Sequence, residues 1–294
     1  MHYKVTHTTH YQYSQAVRLR PHTLLLCPRS DGTQQLEQFK VNISPSPEQQ
    51  TYFLDINGNT CLKIGFREEL SQLKIRTTSQ VITRRENPFD YLSEPWAVSF
   101  PIDYPSSLTA QLRPYLAVLP EQGLDSANMP TVMEMAHSIR QKANGNVGQF
   151  LTQLTQTIQS TCDYQQRLEG PARLPAVTLS QRSGTCRDFA VLFVAVCRAV
   201  GIAARFVSGY QEGDPEGPHD LHAWAEAYVP GGGWRGFDPT LGLAVGDRHI
   251  ALAAAIDPKQ AGPVIGKLYP GQKAETSLES HIELVILDSS KASA

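Results

Sequence analysis

Cysteine is scarce in this 294-residue chain: Cys27, Cys61, Cys162, Cys186 and Cys197 are an odd number with no Cys-x-x-Cys pair. That argues against a disulfide framework and fits reduced thiols. Long apolar runs are missing too. The longest, Phe189 to Cys197, is closed by Arg198 and falls far short of the roughly 20 residues a membrane-spanning helix needs. Neither sign of charge dominates, with 26 basic and 28 acidic side chains and a net charge of -2, so nothing electrostatic calls for nucleic acid or an anionic membrane as partner. The chain has no Gly-x-Gly-x-x-Gly or Walker sequence, which removes the usual grounds for nucleotide binding, and no internal repeat or low-complexity tract. Met1 to Thr6 has neither the charged n-region nor the apolar h-region of a secretory signal, so the cytoplasm is the expected compartment.

What is present is ordinary globular composition, 41% hydrophobic and 18% charged, at a length that suits two cores. Between residues 3 and 85, strand-like runs (Tyr3 to Thr8, Thr23 to Cys27, Phe39 to Ile43, Gln50 to Asp55, Thr60 to Phe66, Leu73 to Val81) alternate with turn clusters such as Pro45-Ser46-Pro47 and Asn57-Gly58-Asn59. They predict an all-β, sandwich-like domain over residues 1–86. Residues 87–130 are proline-rich with one helical piece from Ser106 to Val118, and read as a connecting segment. Helices are expected from Pro130 to Lys142 and from Val147 to Ser160, opening a catalytic domain over 131–294 that ends in a closing strand, His281 to Leu287.

Three chemistry-bearing groups lie in that second region. Ser183-Gly184 reads as a turn, and from Cys186 an apolar run of helical length continues to Val200, stopped by Gly201. Cys186 therefore stands at a helix N-terminus, where unpaired N–H groups and the helix dipole favour thiolate and can hold an oxyanion. The helix is apolar nearly all round and should be buried. In His222-Ala223-Trp224-Ala225-Glu226-Ala227-Tyr228-Val229 large or polar residues alternate with small ones, which puts His222, Trp224, Glu226 and Tyr228 on one strand face. Pro230 to Gly233 turns the chain, so Trp234 to Asp238 returns as the antiparallel partner and brings Asp238 towards His222.

Taken singly, each residue has a plainer reading. A cysteine at a helix start is more often packing, and Asp-Pro-Thr after a strand is usually a turn. It is the arrival of thiol, imidazole and carboxylate in three elements that one sheet against one helix would join that points to nucleophilic catalysis. The pair His219 and His222 has a spacing that can ligate zinc on a helix, but falls on a loop entering a strand with no third ligand near it in sequence. His2, His7 and His10 lie on a strand, where surface or domain-contact roles fit better. Tyr164 either lines the cleft or caps the preceding helix.

The segments Gly184-Thr185-Cys186-Arg187-Asp188-Phe189-Ala190, Val207-Ser208-Gly209-Tyr210, Asp220-Leu221-His222-Ala223-Trp224 and Gly233-Trp234-Arg235-Gly236-Phe237-Asp238-Pro239-Thr240 resemble the core of the transglutaminase-like superfamily. The spacing agrees, His222 following Cys186 by 36 positions and Asp238 following His222 by 16. Residues 1–81, with His7-Thr8-Thr9-His10-Tyr11-Gln12-Tyr13 and Asp55-Ile56-Asn57-Gly58-Asn59, resemble the β-rich N-terminal region of bacterial members. The resemblance implies an α+β protein with a papain/transglutaminase-like core, and Cys186 as nucleophile, His222 as base and Asp238 as orienting acid. One segment departs from it: His249-Ile250 is followed by Ile256-Asp257-Pro258, where relatives often carry Arg-Asp-Tyr.

The chemistry so implied is acyl transfer through a thioester on Cys186, with a peptide or protein substrate, no cofactor and no metal. Water as acceptor makes a cysteine peptidase or amidase, towards which the compact bacterial resemblance leans. A primary amine makes a protein-glutamine transglutaminase. An arylamine N-acetyltransferase-type acyltransferase and a catalytically silent binding module are the remaining readings.

Overall fold

The computed structural model describes residues 1–117, 129–167, 170–213 and 219–287. Its elements run β1 (His2–Val17), β2 (His22–Leu24), β3 (Gln34–Ser44), β4 (Gln49–Leu54), β5 (Thr60–Gly65), β6 (Leu70–Thr83), α1 (Ser106–Leu116), α2 (Met129–Lys142), α3 (Val147–Thr161), β7 (Asp163–Tyr164), α4 (Pro175–Gln181), β8 (Ser183–Gly184), α5 (Cys186–Ala199), β9 (Ala204–Gln211), β10 (His222–Val229), β11 (Gly233–Asp238), β12 (Leu243–Ala244), β13 (His249–Ala255), β14 (Val264–Ile265) and β15 (Thr276–Ile286).

In β1 and β6 the period-two pattern becomes burial: Tyr3, Val5, His7 and Thr9 are buried while the residues between them are less so. Two four-stranded sheets result, ordered β15-β1-β6-β3 and β14-β2-β5-β4. Tyr3, Val5, Leu73 and Ile75 from one and Leu24, Leu62 and Ile64 from the other share a core, so the sandwich expected of the N-terminal region is present. It is not built from the N-terminal region alone. The closing strand, expected with the catalytic domain, lies antiparallel on β1 along its whole length, Tyr3 opposite Ile286 and Tyr13 opposite Thr276. Periodicity identifies a strand but not the edge it joins, and here a long edge of β1 is what needs covering.

The second sheet system has the order β12-β11-β10-β9-β13 and carries α5 on one face. Ala223, Ala225 and Ala227 of β10 are small enough to let the helix come close. On its other sides α5 meets α2 and α3, with Phe189, Leu192, Phe193 and Val196 packed among Val132, Ile139, Phe150, Leu151 and Leu154. Each such side chain removed from water is worth about 1.5–3 kcal/mol, which makes this helix a fixed platform. An α+β chain with β-rich N-terminal sheets and a helix on an antiparallel sheet is therefore what the sequence folds into.

β13 is an edge strand, pairing with β9 on one side only. Its outer edge is satisfied by the N-terminal sandwich. Gln34 donates from Nε2 to the Ala251 carbonyl at 3.0 Å and accepts from the Ala251 N–H at 2.8 Å. Asn59 does the same at Ala254, donating at 2.8 Å and accepting at 2.9 Å. The Asp55-to-Asn59 motif is the device that aims this amide: Asp55 Oδ1 accepts the N–H groups of Asn57 and Asn59, Oδ2 accepts Asn59 Nδ2, and Gly58 takes the left-handed conformation at φ 75°. Replacing a buried amide that satisfies two backbone groups strands both. Asn59→Leu should therefore lower unfolding free energy by about 2–4 kcal/mol, read as a lower urea midpoint with an unchanged slope.

Candidate active site

The N-terminus of α5 is fixed by a reciprocal cap. Thr185 stands outside the helix in extended conformation, its side chain accepts from the Asp188 N–H, and Asp188 Oδ2 accepts the Thr185 N–H at 2.9 Å. Asp188 is fully buried and also receives Arg167 Nη2 at 2.8 Å and the Arg173 N–H at 2.6 Å. Gly184 is required beneath it, because a Cβ there would lie 2.8 Å from the Asp188 Cβ. Ser183-Gly184 is not the turn expected; it forms β8, pairing in parallel with β7, and the left-handed residue is Arg182 at φ 46°. The cap leaves Cys186 as the first helical residue, its N–H among those without a partner inside the helix.

His222 opens β10 opposite Gly209. Gly209 admits the Trp224 ring, since a Cβ there would come within 2.6 Å of that ring and 2.1 Å of the Ile250 carbonyl. Across the hairpin, Phe237 pairs with Ala225, which puts Asp238 on the same face as Trp224 and His222. His222 Nε2 lies 2.7 Å from Asp238 Oδ2. A carboxylate only accepts, so Nε2 carries the proton. Cys186 is near enough to His222 to act on it electrostatically, and with Nε2 committed to the carboxylate, Nδ1 is the ring nitrogen left for the thiol. The structure thus brings the three residues singled out in sequence together, His222 bonded to Asp238 and within electrostatic reach of Cys186.

Electrostatics follow from that chain. Burial alone would depress the His222 pKa, but the hydrogen bond to Asp238, its charge and the neighbouring Cys186 override it and raise it from 6.5 to about 10. Burial would likewise raise that of Asp238, yet bonds from His222 and His249 hold it well below the usual carboxylate range. Burial pushes the other thiols up: Cys27 to about 11, Cys61 and Cys162 above the ordinary value, and Cys197 well above it.

The second histidine on Asp238 escaped the sequence reading. His249, first residue of β13, places Nε2 3.0 Å from the same Oδ2. The opposite oxygen, Oδ1, accepts the N–H groups of Thr240 at 2.9 Å and Leu241 at 3.3 Å. The one sequence signal for His249 is the His249-Ile250 pair, which keeps the relatives' His-Ile ahead of the departure at Ile256-Asp257-Pro258. Ligand atoms of His222, Asp238 and His249 lie within 4.8 Å of one another, a grouping that could attract a cation. Both Nε2 atoms already donate to the carboxylate, so a metal would have to displace two protons and open the triad. His219 stands apart, bridged to Ile282 of β15, and Asp257 caps the turn at Lys259. Tyr164 is 54% exposed and edge-on to Phe189 at 6.5 Å, on the side of α5 near Cys186. His7 is a domain contact, its Nδ1 3.0 Å from the Tyr210 hydroxyl.

Two outcomes follow. His222 has a raised folded-state pKa, so its contribution to stability is complete below its unfolded value of 6.5 and is lost as pH rises through about 10. The stability gap between wild type and His222→Phe should narrow over that window in urea titrations. Asp238→Asn turns an amide N–H₂ towards groups that all donate, and should cost about 10²–10⁴-fold in turnover, short of the complete loss expected for Cys186→Ala, as kcat/KM on any cleaved amide would show.

The transglutaminase-like superfamily core matches residues 133–239, and the bacterial transglutaminase-like N-terminal region matches residues 3–82. An uncharacterized protein of Mycobacterium tuberculosis is 28% identical over 288 residues, spanning 91% of this chain and 87% of that protein. A protein-glutamine gamma-glutamyltransferase of Pseudomonas aeruginosa is 44% identical over 71 residues, 21% of this chain and 11% of that enzyme. A solved structure of a candidate cysteine protease from Cytophaga hutchinsonii has the same fold, with a TM-score of 0.75 at 21% identity over 98% of this chain and 91% of the other. With both matched regions in order and the Cys-His-Asp chain assembled where the core match lies, this protein belongs to the transglutaminase-like superfamily and carries its bacterial N-terminal region.

Proposed function

We propose that this protein is a thiol-dependent acyl-transfer enzyme that acts on peptide or carboxamide carbonyls, with water as the final acceptor. The observation that carries the reading is the meeting of Cys186, His222 and Asp238, where the 2.7 Å bond to Asp238 and neighbouring charge favour imidazolium over imidazole. The Cys186 thiolate attacks the carbonyl carbon, forming a C–S bond and moving charge onto the oxygen. The Cys186 N–H at the α5 N-terminus is placed to receive that oxyanion. His222 then gives its proton to the leaving amine as the C–N bond breaks, leaving a thioester and a neutral imidazole. Water, deprotonated by His222, attacks the thioester, and the thiolate leaves with the imidazolium restored. Asp238, already ionised, keeps Nε2–H in place throughout.

A primary amine in place of water gives the second reading, a protein-glutamine transglutaminase. The segment of 71 residues at 44% identity to the Pseudomonas aeruginosa gamma-glutamyltransferase favours it. The two readings share every step to the thioester.

The test begins before any substrate is known. Limiting iodoacetamide at about pH 6, where an ordinary thiol of pKa near 8.5 is mostly unreactive, is read by peptide mass spectrometry. Cys186 should be labelled ahead of the four thiols whose pKa burial raises, and His222→Ala should abolish that preference. Uniform or absent labelling would remove the enzyme reading and leave a binding module. Glutamine-containing peptides incubated with and without a primary amine then divide the readings: loss of ammonia or chain cleavage alone marks hydrolysis, and amine incorporation marks transfer.

A further inference from the structure

The mechanism above uses one histidine, yet two converge on Asp238. His249 lies in the interior with its side chain 2% exposed, and its Nδ1 is buried without a partner among the described residues. Leaving half of an imidazole's polar capacity unmet in the interior costs free energy that an apolar side chain of similar volume would not incur. What that ring gains is a single strong contact, the Nε2–H donated to Asp238 Oδ2 at 3.0 Å, on the atom that also receives His222 at 2.7 Å.

We propose that His249 is a positioning residue of the triad, the second donor that fixes the Asp238 carboxylate in the rotation that holds His222 against Cys186. The proposal rests on the acyl-transfer reading above. With Oδ1 pinned by the Thr240 and Leu241 N–H groups, the carboxylate has one remaining freedom, the aim of Oδ2. His222 alone cannot fix it, because His222 must itself take and release a proton in each half-reaction and its pull on Oδ2 varies as it does. His249 is not in the proton path, so its pull is constant. Its ring is held for this purpose: the Trp224 ring stands edge-on to it at 5.2 Å, and it begins the strand whose outer edge Gln34 and Asn59 clamp from the N-terminal sandwich. The N-terminal region thus reaches the nucleophile through β13, His249, Asp238 and His222, in that order.

The experiment is the rate of Cys186 alkylation at about pH 6 in full-length wild type, His249→Leu, His249→Asn and His249→Gln, with His222→Ala as the reference for a broken pair. A glutamine amide nitrogen reaches where Nε2 stands, and an asparagine amide falls one bond short. His249→Gln should label Cys186 within about threefold of wild type, while His249→Leu and His249→Asn should be slowed about tenfold or more, as expected for losing one charge-assisted hydrogen bond. If His249→Leu fails to fold, the glutamine and asparagine variants, both polar and close in size, decide the matter. Equal rates in the glutamine and asparagine variants, whether fast or slow, overturn the proposal and reduce His249 to packing. Selective labelling in wild type that is lost in His222→Ala but indifferent to residue 249 would overturn this inference alone; no selective labelling in wild type would overturn both.

Discussion

The structure depends most on one buried carboxylate. Asp238 is fully enclosed, and an ionised carboxylate there would be prohibitive if its oxygens were not met. Four donors meet them: two backbone N–H groups from the turn that follows, and two imidazoles from strands on either side of β9. Each donor fixes something else. The turn ends β11, the bond from His222 fixes that ring's own tautomer and leaves Nδ1 for the thiol, and His249 ties the edge strand β13 to the centre of the sheet. Remove the charge and these elements lose their common reason to meet.

The β-rich N-terminal sheets and the sheet that carries α5 are not separate in space. β14 and β15, at the C-terminal end, complete the two N-terminal sheets, and Tyr210, Ile250 and Leu252 of the catalytic sheet lie in the same core as Tyr3 and Leu73 of the sandwich. On the other side, Leu25 and Cys61 of the sandwich pack in the cluster that holds Cys186 and Ala190. The first and last strands of the described residues lie in one sandwich, and the sheet that carries α5 leans on it along β13. Separating the N-terminal region would expose the outer edge of β13 and split two cores.

How much of this was legible follows from the range of each signal. Period-two alternation in β1, β6 and β10, the apolar run of α5 and the glycine turn before β11 are local, and each predicted its element. Cys186, His222 and Asp238 could be named because they begin or end such elements. β13 was not read as a strand, since Ile250 to Ala255 is apolar or small throughout: both faces are buried, and the register slips between Ala251 and Ala253. Alternation disappears under those conditions. His249 was lost with its strand. The partner of β15 was equally invisible, because a strand of 11 residues says nothing about an edge formed by a segment some 270 positions away.

The same comparison separates Cys186 from the other four thiols. All five cysteines are buried, so exposure does not separate them. Cys197, on the same helix as Cys186, is fully enclosed among apolar side chains, and the cost of placing a charge there drives its pKa well up. Cys186 differs by position alone: it sits at the helix end where the backbone N–H groups point, with His222 on its other side. That position exists because Thr185 and Asp188 cap the helix one residue earlier, and Asp188 can serve as cap only because Gly184 leaves it room and Arg167 meets its charge. The surroundings of Cys186 are thus two buried carboxylates deep, Asp188 setting where the sulfur stands and Asp238 setting what stands beside it.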